Sequence, residues 1–79
     1  MRIKARGHHA FRCYTAHLPK GGTMTVDADT TVERVLDQLK VPAVQRVTLL
    51  IFVNGRPARL DQVLQEMDDL VFFSPVEGG

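Results

Sequence analysis

Cysteine occurs once in this chain, as Cys13, tryptophan is absent, and the aromatics are only four Phe and one Tyr. A single thiol excludes an internal disulfide framework and fits a reducing compartment. The longest uninterrupted aliphatic and aromatic run, residues 49–53, is far too short to span a bilayer. Met1-Arg2-Ile3-Lys4 leads into no signal-type apolar segment, so no membrane contact and a cytoplasmic location are expected. No G-x-x-x-x-G-K loop is present to cradle a nucleotide phosphate, and no Ser/His/Asp order or paired-carboxylate spacing points to side-chain catalysis. Acids are missing from residues 1–22, which hold Arg2, Lys4, Arg6, Arg12 and Lys20; from Thr23 onward acids exceed bases. The whole chain nets only +1 over 79 residues, which makes no general case for nucleic acid. A domain of this size buries a little over ~60% of its unfolded surface and has no room for a catalytic cleft of its own.

What is present is a clear succession of short elements. Met1, Ile3, Ala5 and Gly7 alternate with Arg2, Lys4, Arg6 and His8, the period of a strand with one buried and one wet face. Residues 10–17 have no clean period, and a Pro- and Gly-rich turn at 18–22 leads to a second strand over 23–28, forming a loose hairpin with the first. Thr30-Thr31-Val32-Glu33 has the form of a capping box, with Thr30 as acceptor and Glu33 reaching back. Val32, Val35, Leu36 and Leu39 then make one apolar stripe, and Pro42 disfavours helix before it, so a helix is expected over about 31–40. Residues 47–53 are apolar on both faces, as suits a central strand, and Asn54-Gly55 is a strong hairpin turn. A short strand over 56–60, one helical turn over 61–66, a turn at Met67-Asp68-Asp69 and a last strand over 70–73 complete the order. The result is a mixed sheet of the α+β class, with one helix on one face and parallel strands in its interior.

The sequence given closes on Gly78-Gly79. Residues without a Cβ can enter a channel too narrow for any other and adopt the angles it imposes. Residues 74–79 reach about 20 Å when extended, enough to carry the Gly79 carboxylate into another protein's active site. A flexible tail over 75–79 beyond a domain of residues 1–74 is the expected organisation.

Elsewhere the candidate sites are weak. His9, Cys13 and His17 are four apart, but in a strand such neighbours stand about 13 Å apart, so a solvated loop with scattered histidines is expected rather than a metal site. The role of His8, His9, His17 and Cys13 stays open; Cys13 itself is read as a partly buried small side chain. Asp68 and Asp69 read as turn acceptors of backbone N–H groups. Arg2, Lys4 and Arg6 make a basic face of strand one, read as solvated; with so few aromatics beside it, nucleic acid is not an expected partner. The apolar excess says more. If Val47, Leu49, Ile51 and Val53 face the helix, Leu50 and Phe52 lie on the open face, and Phe73 and Pro75 extend that patch toward the tail; exposed apolar patches mark partner surfaces.

This architecture with its Gly-Gly ending resembles the ubiquitin-like β-grasp sulfur carriers, the molybdopterin-synthase small subunit and thiamine sulfur-carrier (MoaD/ThiS) family, over the whole chain. The resemblance is carried by Phe72-Phe73-Ser74-Pro75-Val76-Glu77-Gly78-Gly79, with support from Val53-Asn54-Gly55-Arg56-Pro57-Ala58 and Met67-Asp68-Asp69. Ser74 stands where a first proline is commoner, and Glu77 where a small residue is. The resemblance implies a four- or five-stranded β-grasp sheet and a protein cosubstrate or small subunit of a synthase complex rather than an enzyme. An ATP-dependent ubiquitin-activating-type enzyme, using ATP and Mg, would adenylate Gly79; a sulfur donor such as a cysteine desulfurase or rhodanese would yield a thiocarboxylate for an acceptor synthase of the molybdopterin or thiamine type. Gly78 and Gly79 then carry the chemistry, while Leu50, Phe52, Phe73, Pro75 and Val76 meet the partner, and no cofactor or metal is bound. The alternatives are a ubiquitin-like modifier joined to lysine through Gly79, and a plain interaction domain.

Overall fold

The computed structural model describes residues 1–75; Val76, Glu77, Gly78 and Gly79 lie outside the described residues. Five strands, β1 (Arg2–Gly7), β2 (Thr23–Thr25), β3 (Leu50–Val53), β4 (Arg56–Pro57) and β5 (Asp69–Phe73), form one sheet in the order β2-β1-β5-β3-β4. Only the β1–β5 pair is parallel, and it lies in the sheet interior; the other pairs are antiparallel. The central strand is therefore β5 and not the apolar run at 47–53. That run is strand only from Leu50, because Ala43–Arg46 form a 3-10 helix and leave Val44 and Val47 79% and 83% exposed.

The single α-helix, α1 (Val32–Gln38), packs its stripe on one sheet face, with Val32, Val35 and Leu36 fully buried. Its cap differs from the expected one. Thr31, not Thr30, accepts from the Arg34 N–H, while the Thr30 hydroxyl donates to the Asp27 carbonyl at 2.6 Å. Glu33 is not needed to complete a capping box, because backbone carbonyls of the turn and bridge at 60–64 satisfy the helix start. The N–H groups of Val32 and Glu33 donate to Gln62 and Leu60 carbonyls, and Leu64 N–H returns to Thr30. This pairing takes the place of the helical turn expected at 61–66 and buries Leu64. The helix ends before Pro42 acts. Lys40 takes a left-handed φ of 64°, and the N–H groups of Lys40 and Val41 bond back to Asp37 and Leu36; this double closure satisfies the orphan carbonyls.

The stretch without a period also has a structure. His9–Tyr14 form a 3-10 helix that inserts Phe11 into the core against Phe72, ring centroids 6.1 Å apart. Gly7 makes this possible, since a Cβ there would collide with the Phe11 carbonyl oxygen. One face of the sheet, carrying Ile3, Ala5, Ile51, Val53, Leu70 and Phe72, is thus sealed by α1, the loops and Phe11. The other has no covering layer among the described residues. No helix there is long and apolar enough to cross a membrane.

Candidate functional site

Strand alternation decides what reaches the open face. Buried Ile51 and Val53 put Leu50 and Phe52 outward on β3, and buried Leu70 and Phe72 put Val71 and Phe73 outward on β5. The register sets Leu50 opposite Phe73 and Phe52 opposite Val71. Phe52 and Phe73 stack with centroids 5.9 Å apart and planes 7° from parallel, and both residues are half-buried. Leu50 is 42% exposed. The expected patch of Leu50, Phe52 and Phe73 is therefore assembled, whereas Val47 stands outside the helix-facing set.

Two residues given no site role from the sequence, His8 and Ser74, complete this end of the sheet. The His8 N–H donates to the Phe72 carbonyl at 3.1 Å, prolonging the β1–β5 pairing by one residue. His9 then turns away at φ 58°, which leaves the His8 ring edge-on to Phe73 at 6.4 Å. The alternation of Arg2, Lys4 and Arg6, continued one step, is the signal that places His8 there. Beyond Phe73, Ser74 is buried and its hydroxyl shares a 3.1 Å hydrogen bond with that of Thr48. Pro75 is exposed, and its ring restricts Ser74 to extended backbone. The base of the tail is thus held by a hydroxyl pair beside a shallow pocket of about 210 Å³ lined by Ala10, Phe11, Gln45, Thr48 and Ser74. Val76, Gly78 and Gly79 lie outside the described residues.

The opposite end of the sheet is a structural knot. Asn54 and Gly55 both have positive φ, 54° and 82°, as a two-residue hairpin turn demands. The Asn54 side chain accepts from the Asp69 N–H and donates to Asp68, whose other oxygen accepts from the Gln65 N–H at 2.8 Å. Asp68 thus serves as the expected turn acceptor. Asp69 instead belongs to β5 and pairs with Arg6 at 2.7 Å, its other oxygen lacking a partner among the described residues. A polar groove of about 750 Å³ lies here, lined in part by Asn54, Arg56, Glu66 and Asp68, remote from the tail.

Cys13 is exposed rather than partly buried, its sulfur 3.5 Å from the Ala10 carbonyl. Among the described residues no group of three or more His, Cys, Asp or Glu side chains is placed to hold a metal ion; His9, Cys13 and His17 are not brought together.

The fold has close counterparts. A crystal structure of SAMP1 from Haloferax volcanii superposes with a TM-score of 0.75 at 22% identity, covering 100% of both chains. A second crystal structure of that organism's small archaeal modifier protein 1 gives 0.72 at 21%, over 95% of this chain and 98% of the other. A putative molybdopterin converting factor, subunit 1, from Pyrococcus furiosus gives 0.73 at 18%, over 96% and 99%. No curated protein matches the chain. The sequence model of the ThiS family matches residues 18–79, which takes in most of the sheet, the helix and the Gly-Gly ending. With its mixed five-stranded sheet and single packed helix, the chain belongs to the ThiS family of ubiquitin-like β-grasp proteins.

Proposed function

We propose that this protein is a sulfur carrier that works as a cosubstrate, with the Gly79 carboxylate as its reactive group. The observation that carries the reading is the ThiS-family match running through Gly78 and Gly79. A carboxylate is a poor electrophile until it becomes a mixed anhydride, so a partner enzyme supplies ATP and Mg and forms the acyl-adenylate with release of pyrophosphate. The terminal sulfur of a persulfide donor then attacks the acyl carbon and AMP leaves. A thiol cleaves the resulting S–S bond, which frees the thiocarboxylate and oxidises the thiol to a disulfide. An acceptor synthase of the molybdopterin or thiamine type consumes the sulfur.

In this reading the body of the domain supplies recognition. Phe52, Phe73 and Leu50 offer an apolar surface where the described chain ends at exposed Pro75, Pro75 and Val76 are the tail residues that meet the partner, and glycine at 78 and 79 lets the chain thread a narrow channel. A second reading, a modifier joined to lysine, has support in the likeness to small archaeal modifier protein 1; it uses the same activated acyl group and differs only in the acceptor.

ATP–pyrophosphate exchange by a ubiquitin-activating-type adenylating enzyme tests the shared step. Exchange should depend on the carrier and vanish on deletion of Gly79, which withdraws the carboxylate by about 3.5 Å. Equal exchange with the shortened chain would refute the proposal.

A further inference from the structure

The open face has two unlike halves. One is the apolar surface of β5 and β3. The other is β1 with the residue that follows it, whose outward side chains are Arg2, Lys4, Arg6 and His8, every second residue along about 20 Å of chain. Their inward neighbours Ile3, Ala5 and Gly7 are buried, so the direction of all four is fixed by the pleat and not by side-chain rotamers alone.

Two carboxylates lie close to this row, and both are engaged. Asp69 binds the Arg6 guanidinium at 2.7 Å. Glu66 accepts from the Arg2 backbone N–H at 3.0 Å, which leaves the Arg2 side chain outside the bond. Among the described residues the Arg2 guanidinium and the Lys4 ammonium have no ion pair, and no acid occurs in residues 1–22 to provide a local one. At the tail end the row meets the aromatic surface directly, since the His8 ring contacts Phe73, which stacks on Phe52. The cationic row and the apolar patch therefore meet at His8, while the parallel register sets Lys4 beside Asp69 and Arg2 beyond it, about 13 and 20 Å along the strand from the level of Phe73, so that a partner covering the whole open face reaches both.

We infer that the protein receiving the tail covers the open face from end to end, with an apolar pocket for Phe52 and Phe73 where His8 meets them and carboxylates opposite Arg2 and Lys4 at the far end of β1. The inference rests on the carrier reading and adds the chemistry of the partner's surface to it. The choice of a protein over a nucleic acid follows from the neighbouring half of the face. Half-buried, mutually stacked rings and an exposed Leu50 suit an apolar pocket, and the phosphate backbone offers none. Exposed charges at the edge of an interface mainly speed and orient association, with an effect that salt screens.

The test is pyrophosphate exchange by the same adenylating enzyme, measured against carrier concentration at low and at physiological ionic strength. For Arg2→Gln/Lys4→Gln the carrier KM should rise about five-fold at low salt, the size expected of two exposed charge pairs, with kcat held and with a flatter salt dependence than the wild type. Arg2→Glu/Lys4→Glu should raise KM further, an ordering that a merely structural role would not produce when melting temperatures match. Arg59→Gln, which neutralises an exposed cation outside the row, should leave KM alone. Unchanged KM for both double variants, beside an active wild type, overturns the inference and leaves the carrier reading intact. Loss of binding to a labelled uridine oligonucleotide with unchanged KM would likewise overturn it in favour of RNA. Absence of exchange with the wild type removes the carrier reading and this inference with it.

Discussion

Phe72 and Phe73 are neighbours in sequence and opposites in role, and alanine at each should separate core from docking surface. Phe72 has no exposed surface and meets Phe11 edge-on beneath Gly7. Removing so large a buried ring costs about 3–5 kcal/mol, a large share of the roughly 4–12 kcal/mol that a domain of this length commands. Phe73 is half-buried and loses its stack on Phe52, worth about 0.5–1.5 kcal/mol, plus part of its burial, for a total of about 1–2 kcal/mol. At about 4–8 °C per kcal/mol for a domain of this size, the melting temperature should fall roughly two to three times as far for Phe72→Ala as for Phe73→Ala. Thermal melts followed by circular dichroism read this directly. Pyrophosphate exchange at a temperature where both variants remain folded should then show raised carrier KM for Phe73→Ala alone. Equal melting-temperature losses, or a Phe73→Ala protein with unchanged KM, would refute the assignment of the two faces.

Other expectations can be checked with the same two assays. Thr31→Ala removes the side-chain cap of α1 and should cost about 1 kcal/mol, whereas Glu33→Ala should change stability by less than about 0.5 kcal/mol because backbone carbonyls of Leu60 and Gln62 already serve the first turn. Gly7→Ala drives a methyl into the Phe11 carbonyl and should destabilise by about 1–3 kcal/mol, visible as a lowered urea midpoint. Ser74→Ala breaks the hydroxyl pair with Thr48; it should lower kcat/KM for adenylation several-fold with only a small change in melting temperature, and Ser74→Thr should recover part of the loss.

Much of the fold is legible in the chain because periodicity and turn chemistry are local. The alternation from Met1 to His8, the stripe Val32-Val35-Leu36-Leu39 and the Asn54-Gly55 turn each depend on near neighbours, and the structure contains all three. What local pattern misses is set by distant contacts. Thr31 caps in place of Thr30 because Thr30 is committed to Asp27, and residues 61–66 make no helix because Gln62, Val63 and Leu64 pair with Thr30, Thr31 and Val32 at the helix start. The apolar stretch 47–53 looks central from composition, yet its first residues lie outside the sheet, and β5 takes the centre by pairing with β1 from the far end of the chain. Phe11 has no periodic signal, since a 3-10 turn buries a single side chain. At the candidate site the patch of Leu50, Phe52 and Phe73 follows from strand parity. The Ser74–Thr48 hydroxyl pair joins residues 26 positions apart, and nothing local announces it.

The most direct test of the account is the mass of the chain after incubation with ATP, magnesium, the adenylating enzyme, a persulfide donor and a thiol. The account predicts a gain equal to one oxygen-to-sulfur exchange, mapped by fragmentation to Gly79 and absent when Gly79 is deleted. A mass gain mapped to Cys13, or an unchanged Gly79 under conditions where the enzyme turns over another carrier, would contradict it.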